Sequence, residues 1–171
     1  GRAMLLPPGK NLQRLIGDEL YQQSVTAMAD HGYTEAVVNR LQPWAIVVTL
    51  NMPKAETGLF LDYFLYRQAL KQGMTVLGLE EMHEQLSVFT SLSLDEQITL
   101  LRDTLHELDA LPQMFEQLTD AYLQRDLQAL AEMTDKSSVQ GSDTALQQRL
   151  MGTLVDMRNQ RMAGRLLPML E

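Results

Sequence analysis

Two carboxylates and a histidine stand together at residues 80–83, "EEMH", which follow Gly78 and Leu79 after a short β-branched run at residues 75–77, "TVL". Carboxylates at this spacing could ligate a metal or act as general acid and base. Glu80 is the stronger candidate, because α/β folds place binding groups at the ends of strands. The alternative is that these acids and Glu84 are solvated, or lie favourably at the positive end of a helix beginning near Met82.

The histidines do not form a recognisable metal motif. His83 and Glu84 could begin H-E-x-x-H, but Ser87 stands where the second histidine would have to be. His31 and His106 lack partners at ligand spacing and are expected to be ordinary surface residues. The chain has no cysteine, so a thiolate ligand or nucleophile is excluded.

An arginine late in the chain is a further candidate. Arg158 and Asn159 lie between Val155 and Met162, at a step of the last helix where an apolar residue is expected. Burying an arginine is costly unless it meets a carboxylate. The sequence therefore predicts that Arg158 faces Glu80 or another acid at the end of the strand. The alternative is that it snorkels at the edge of the helix face.

The elements that must position these groups are mainly helical. The periodicity predicts a mainly α chain with about seven helices and one short strand near 74–79. Residues 43–51 are ambiguous, because Ile46, Val47 and Val48 favour a strand whereas Pro43 suits the first turn of a helix. We favour a helix there.

The spacing of apolar residues in the second half of the chain predicts longer helices. Ser93-x-x-Glu96 is a capping box, and the leucine-rich seam behind it predicts a helical hairpin over about residues 94–131, broken at Pro112. A last helix is expected from about Ala145 to the end. A single strand cannot pair its own backbone groups, so the pattern suggests a piece of a larger α/β protein.

Composition narrows the class of protein. A chain of 171 residues can form one domain with a real core. Its net charge of −8 argues against a nucleic-acid partner, whose phosphates favour basic surfaces. No uninterrupted apolar run reaches about 18 residues, so no membrane span is expected.

Several segments in order resemble the bacterial TraB/GumN family, which has Tiki-like animal relatives. The matching segments are "LPPGKNL", "LQPWAIVVTLN", "GLFLDYFLYRQALKQGMTVLGLE", "EQLSVFTSLSLDEQ" and "DMRNQRMA". The resemblance implies a metal-dependent peptidase or other hydrolase with an α/β core related to the erythromycin-esterase/ChaN group. In that family the metal chemistry rests on two G-x-x-H motifs. None of the ten glycines of this chain has a histidine three residues on.

The resemblance also implies roles for individual residues. Glu80 matches the family's carboxylate after the "GL" step, where it could ligate metal or act as general base. Arg158 could orient Glu80 or bind substrate charge, and both are expected to be catalytic. Gln85 and Asn159 match further family positions, with a role in binding substrate or in supporting the site.

On this resemblance, residues 1–171 are one helical domain, the central segment of a longer protein whose cut ends leave out both G-x-x-H motifs. A divalent metal is expected in the complete protein and none in this chain, which should shape the substrate cleft and be inactive alone. The substrate would be a peptide or another small molecule. If the full chain has a signal peptide, this bacterial protein would lie in the periplasm or cell envelope.

The alternative is a non-catalytic helical module for protein interaction or regulation. Apolar helix faces left uncovered would then favour homo-oligomers.

Overall fold

A computed structural model describes residues 2–52, 60–139 and 141–170, and most of these are helical, which confirms the mainly α class. The helices are α1 (Leu12–Ile16), α2 (Asp18–Ala29), α3 (Glu35–Val38), α4 (Pro43–Leu50), α5 (Leu61–Lys71), α6 (Met82–Thr90), α7 (Leu94–Glu107), α8 (Leu111–Leu123), α9 (Leu127–Val139), α10 (Thr144–Met151) and α11 (Arg158–Leu166). A π-helical turn, Gly152–Met157, joins α10 to α11. Short 3-10 turns lie at Arg2–Met4, Leu108–Ala110 and Leu167–Met169.

The hydrophobic core lies where α4 packs against α2 and α7. Trp44 and Ile46 of α4, Met28 of α2 and Leu101 of α7 are all fully buried. Residues on every side of α4 are buried, which is why its sequence shows no helical periodicity. Pro43 occupies its first turn, where the missing N–H has no intrahelical partner to lose. The helix favoured for residues 43–51 is therefore confirmed.

The short strand predicted near 74–79 is not formed. The amide of Met74 closes α5 by donating to the carbonyl of Ala69, and the chain then runs to Leu79 without pairing to a strand. Among the described residues, the recorded β-type pairing is one isolated antiparallel bridge, between Leu5 and Leu41. A strand needs a neighbour for its backbone groups, and in these ranges the segment has none.

The helical hairpin predicted over about residues 94–131 does not turn at Pro112. Pro112 lies in the first turn of α8, and the 3-10 turn before it keeps the chain helical from α7 into α8. The chain leaves the helix only at Arg125, whose φ of 58° is left-handed. The amide of Asp126 then caps the carbonyl of Ala121, and α9 packs on α8. The hairpin is therefore α8–α9, because a proline at a first helical turn does not end a helix.

The surface of α5 and the segment after it is strongly apolar. No residue of α5 is buried, and Phe64, Leu65 and Leu70 are each about half exposed. Met74 and Leu77 continue this exposed surface toward Glu80. Within the described ranges, no helix is both long and apolar enough to cross a membrane.

Candidate functional site

Glu80 is held at the entrance to α6. Glu81 is the N-cap of α6, and its backbone N–H donates to Glu84 Oε2 at 2.8 Å. An acid at this position of a first turn satisfies a backbone donor that the helix itself leaves free. Glu80, one residue earlier, lies just outside the helix, and only 10% of its side chain is exposed.

Arg158 begins α11, directly after the π-helical turn. An α-helical residue advances about 100°, so Arg158, twelve positions after the buried Leu146, would lie about 120° from it on an unbroken α-helix. A π turn bonds i to i+5 and takes one residue more than an α turn, which reduces that angle to about 20°. The turn therefore brings Arg158 onto the face of α10 that packs into the protein.

The predicted contact between Glu80 and Arg158 is present. Arg158 Nε donates to Glu80 Oε1 at 2.9 Å and to Oε2 at 3.1 Å, and its Nη2 donates to Oε2 at 2.6 Å. Arg158 Nη1 donates to the carbonyl of Leu154 at 3.2 Å. The side chain of Arg158 is 21% exposed, so it is partly buried. This bidentate geometry joins two segments that are 78 residues apart in the chain.

A second ion pair extends the site along α11. Arg165 donates from Nη1 to Glu84 Oε2 and from Nη2 to Glu84 Oε1, both at 2.7 Å, and also from Nη1 to the carbonyl of Leu79. Arg161 Nη1 lies 3.5 Å from Glu84 Oε1. Arg158, Arg161 and Arg165 thus form one surface, which we call the arginine face, against the start of α6.

The arginine face makes both acids stronger. The hydrogen bond from Arg158 lowers the pKa of Glu80, against the desolvation that raises it. The hydrogen bonds from Arg165 and from the Glu81 backbone lower the pKa of Glu84 to about 2. In return, the pKa of each of these two arginines is raised. All four groups are therefore charged near neutral pH.

Gln85 and Asn159, the other two residues assigned through the resemblance, follow Glu84 and Arg158 in the sequence. Both are exposed, and neither side chain makes a hydrogen bond to Glu80 or Arg158. His83 is also exposed, and its Nδ1 contacts Glu81 Oε2 at 3.1 Å. The contacts therefore bring Glu80 and Arg158 together and do not include Gln85, Asn159 or His83.

The described residues around Glu80 do not form a metal-binding group. Both oxygens of Glu80 accept hydrogen bonds from Arg158, and no group of three or more histidine, cysteine or acidic residues that could hold a metal occurs in the described part of the chain. Glu80 therefore acts here as the partner of a cation, and no step through a metal follows from this geometry.

Two features of the site were missed from the sequence. The pair of Glu84 with Arg165 could have been found from the arginine spacing, since positions 158, 161 and 165 share one side of an α-helix. The π turn has no such signal, because the exposed Val155 and Met157 look like part of an apolar helix face.

Comparison with known proteins places the chain in a family. No curated protein and no solved structure gives a significant match. One family model, described as the TraB/PrgY/gumN family, matches residues 1–171, the whole length of the chain. The chain therefore belongs to the TraB/PrgY/gumN family.

Proposed function

We propose that this chain forms part of the substrate cleft of a metal-dependent hydrolase that acts on peptides. The observation that carries the proposal is the bidentate Glu80–Arg158 pair, which joins two distant segments through an arginine whose side chain is partly exposed. Membership of the family agrees with the proposal, and the activity itself is inferred from the resemblance and from the chemistry of this pair.

The role that fits Arg158 is to bind an oxygen of the substrate. A guanidinium has five N–H donors. One on Nε and one on Nη2 bind Glu80, and one on Nη1 binds the Leu154 carbonyl, which leaves two. Two fixed donors beside a carbonyl oxygen would stabilise the negative charge that develops during hydrolysis. Glu80 is then a positioning residue that holds Arg158 at the correct angle.

The metal and its ligands would come from outside the residues described. In the family to which this chain belongs, G-x-x-H motifs are expected to supply them, and this sequence contains none. We therefore propose that the chain alone has no hydrolytic activity. A longer reading frame that adds both motifs would be active.

Peptide hydrolysis with added Mn²⁺, Co²⁺ or Zn²⁺ tests this, using the chain alone and the complete reading frame. Turnover is expected only from the complete frame, and Arg158→Lys should lower kcat with little change in KM, because lysine cannot reproduce the bidentate contact. Arg149→Lys is the matched control, since Arg149 pairs with Glu96 away from the arginine face. Turnover by the chain alone that Glu80→Ala abolishes would contradict the proposal.

A non-catalytic interaction module is the second candidate, because α5 has no buried residue and exposes aromatic and aliphatic side chains. Exposed apolar surfaces of this kind mark interaction sites. Self-association should then appear in light scattering and weaken in Phe64→Ser. A strict monomer at high concentration would count against homo-oligomers.

A further inference from the structure

A cavity of about 420 Å³ opens between α4, α7 and α10. Its volume lies in the range of about 300–1,000 Å³ that small-molecule sites occupy. Most of its wall is apolar and comes from several helices: Val48, Phe89, Leu100, Met114, Leu150 and Leu154. We call it the inter-helix cavity.

The polar groups of the inter-helix cavity are acidic or neutral. Asp103 and Glu107 of α7 lie on it, and no lysine, arginine or histidine is among the described residues that line it. Asp103 Oδ2 accepts hydrogen bonds from the Ser142 N–H at 3.0 Å and from Ser142 Oγ at 3.1 Å. Glu107 is half-buried, and its carboxylate makes no hydrogen bond or ion pair with another residue that the structure describes.

We infer that the inter-helix cavity binds an apolar side chain that lies next to a positively charged amine, as in the amino-terminal residue of a peptide. The apolar wall gains by taking an apolar side chain out of water. Glu107 has free oxygens to accept from an ammonium group, and such charge-assisted bonds are the stronger kind. A ligand with a carboxylate in the same place would be repelled by Asp103 and Glu107.

The cavity is close to the arginine face. Leu154 lines it, and the carbonyl of this residue accepts from Arg158 Nη1 at 3.2 Å. The part of the cavity wall formed by Leu154 therefore lies within one helical turn of Arg158. The assignment of the ligand to a peptide substrate rests on the proposed function, whereas binding of an apolar amine does not.

The chain contains its own reporter for this binding. Phe89, on the cavity wall, stacks on Trp44 with ring centroids 5.5 Å apart and planes at 11°. Trp44 is the single tryptophan of the sequence, so its emission reports on this wall without interference from another indole. A ligand that moves Phe89 should change that emission.

The test compares leucinamide, N-acetyl-leucinamide and N-acetyl-leucine. These ligands share the leucine side chain and carry a positive, zero and negative net charge, respectively. At about pH 6.5 the leucinamide amine is mainly charged. We expect leucinamide to bind about tenfold more tightly than the neutral analogue, which matches the strength of a hydrogen bond to a charged group. N-acetyl-leucine should bind most weakly. Binding is followed by Trp44 emission and by NMR shifts of Val48 and Thr104.

Single substitutions test which residues of the inter-helix cavity bind the ligands. Glu107→Gln should weaken leucinamide binding about tenfold, to the level of the neutral analogue. Glu116→Gln, the same change on an exposed part of α8 away from the cavity, should have no effect. Val48→Phe should fill the cavity and weaken binding of all three ligands, and Met114→Phe replaces it if thermal unfolding shows that Val48→Phe does not fold.

Equal binding of the three ligands, unchanged leucinamide binding in Glu107→Gln, or no change at any probe would each overturn the inference. Binding is measured without turnover, so it is separate from the proposed function. If the complete reading frame shows no hydrolysis but leucinamide still binds, the hydrolase proposal alone is refuted. If it hydrolyses peptides but leucinamide does not bind, the cavity inference alone is refuted.

Discussion

The π-helical turn predicts a specific response to changes in helix length. If the extra residue of the turn is what aligns the arginine face with the core face of α10, deleting Val155 should give a regular α-helix with the same alignment. Inserting one alanine after Asp156 should instead rotate α11 by about 100°. At a helix radius of about 5–6 Å with side chains, that rotation moves each guanidinium by about 8 Å.

Such a movement is larger than the length of any hydrogen bond in the site. The hydrogen bonds from Arg158 to Glu80 and from Arg165 to Glu84 are 2.6–3.1 Å long, so the insertion should break both pairs. The pKa of Glu84 should then rise from about 2 toward its ordinary value of 4.5. The pKa of Glu80 should rise as well, because its largest lowering cause is the bond from Arg158.

Carboxyl ¹³C NMR titration of the two variants provides the measurement, and Glu96 provides an internal control. Its pKa is held at about 2 chiefly by Arg149, which lies on α10 before the π turn. The deletion should leave the pKa values of Glu84 and Glu96 both near 2, and the insertion should raise the pKa of Glu84 and of Glu80 but not that of Glu96. A deletion that frees Glu84, or an insertion that leaves its pKa near 2, would refute this account of the π turn.

Three further predictions concern stability. Phe89→Leu removes the stacking on the only tryptophan and should lower the free energy of unfolding by about 1 kcal/mol, measured by urea titration. Gly141→Ala should cost about 1–3 kcal/mol, because φ is +146° and a Cβ would lie 2.8 Å from Gln147 Nε2. The matched Gly164→Ala, with no atom within 4 Å, should stabilise its helix, and equal effects of the two changes would contradict the strain argument. The pKa of Glu84 falls from 4.5 to about 2 on folding, so this carboxylate should stabilise the protein fully above about pH 4.5 and lose that effect as the pH falls through 2. The free energies of unfolding of Glu84→Gln and of the parent protein should therefore differ most at neutral pH and converge near pH 2.

Local sequence rules predicted the parts of the fold that depend on local chemistry. The capping box at Ser93 forms as predicted, with Glu96 Oε2 accepting from the Ser93 N–H at 2.7 Å. The mainly helical class and the helix beginning at Pro43 follow from the same kind of rule. The contact of Arg158 with Glu80 was predictable for a different reason, since a buried arginine requires a carboxylate.

The remaining features depend on which segments pair or pack together and on the rotation of one helix relative to another. Short-range sequence patterns do not indicate either. Residues 74–79 have strand-like side chains, but a strand forms only where another strand pairs with it. The phase of α11 depends on one additional residue in a turn, and the side chains of Val155 and Met157 suit an α-helix equally well. The inter-helix cavity depends on how several helices meet, so no single segment could have indicated it.

The apolar surface and the ion-pair site are physically connected. The exposed side chains of α5 continue through Met74 and Leu77, and two residues later the chain reaches the carbonyl of Leu79, which Arg165 binds, and then Glu80. Any protein surface that covers α5 and residues 74–79 would therefore also hold Glu80 in place against Arg158. An eleven-residue helix with no buried residue is marginal in water, so covering it would stabilise this end of the site. The interaction and hydrolase proposals are thus compatible, because binding at α5 would fix one half of the pair that the hydrolase proposal needs.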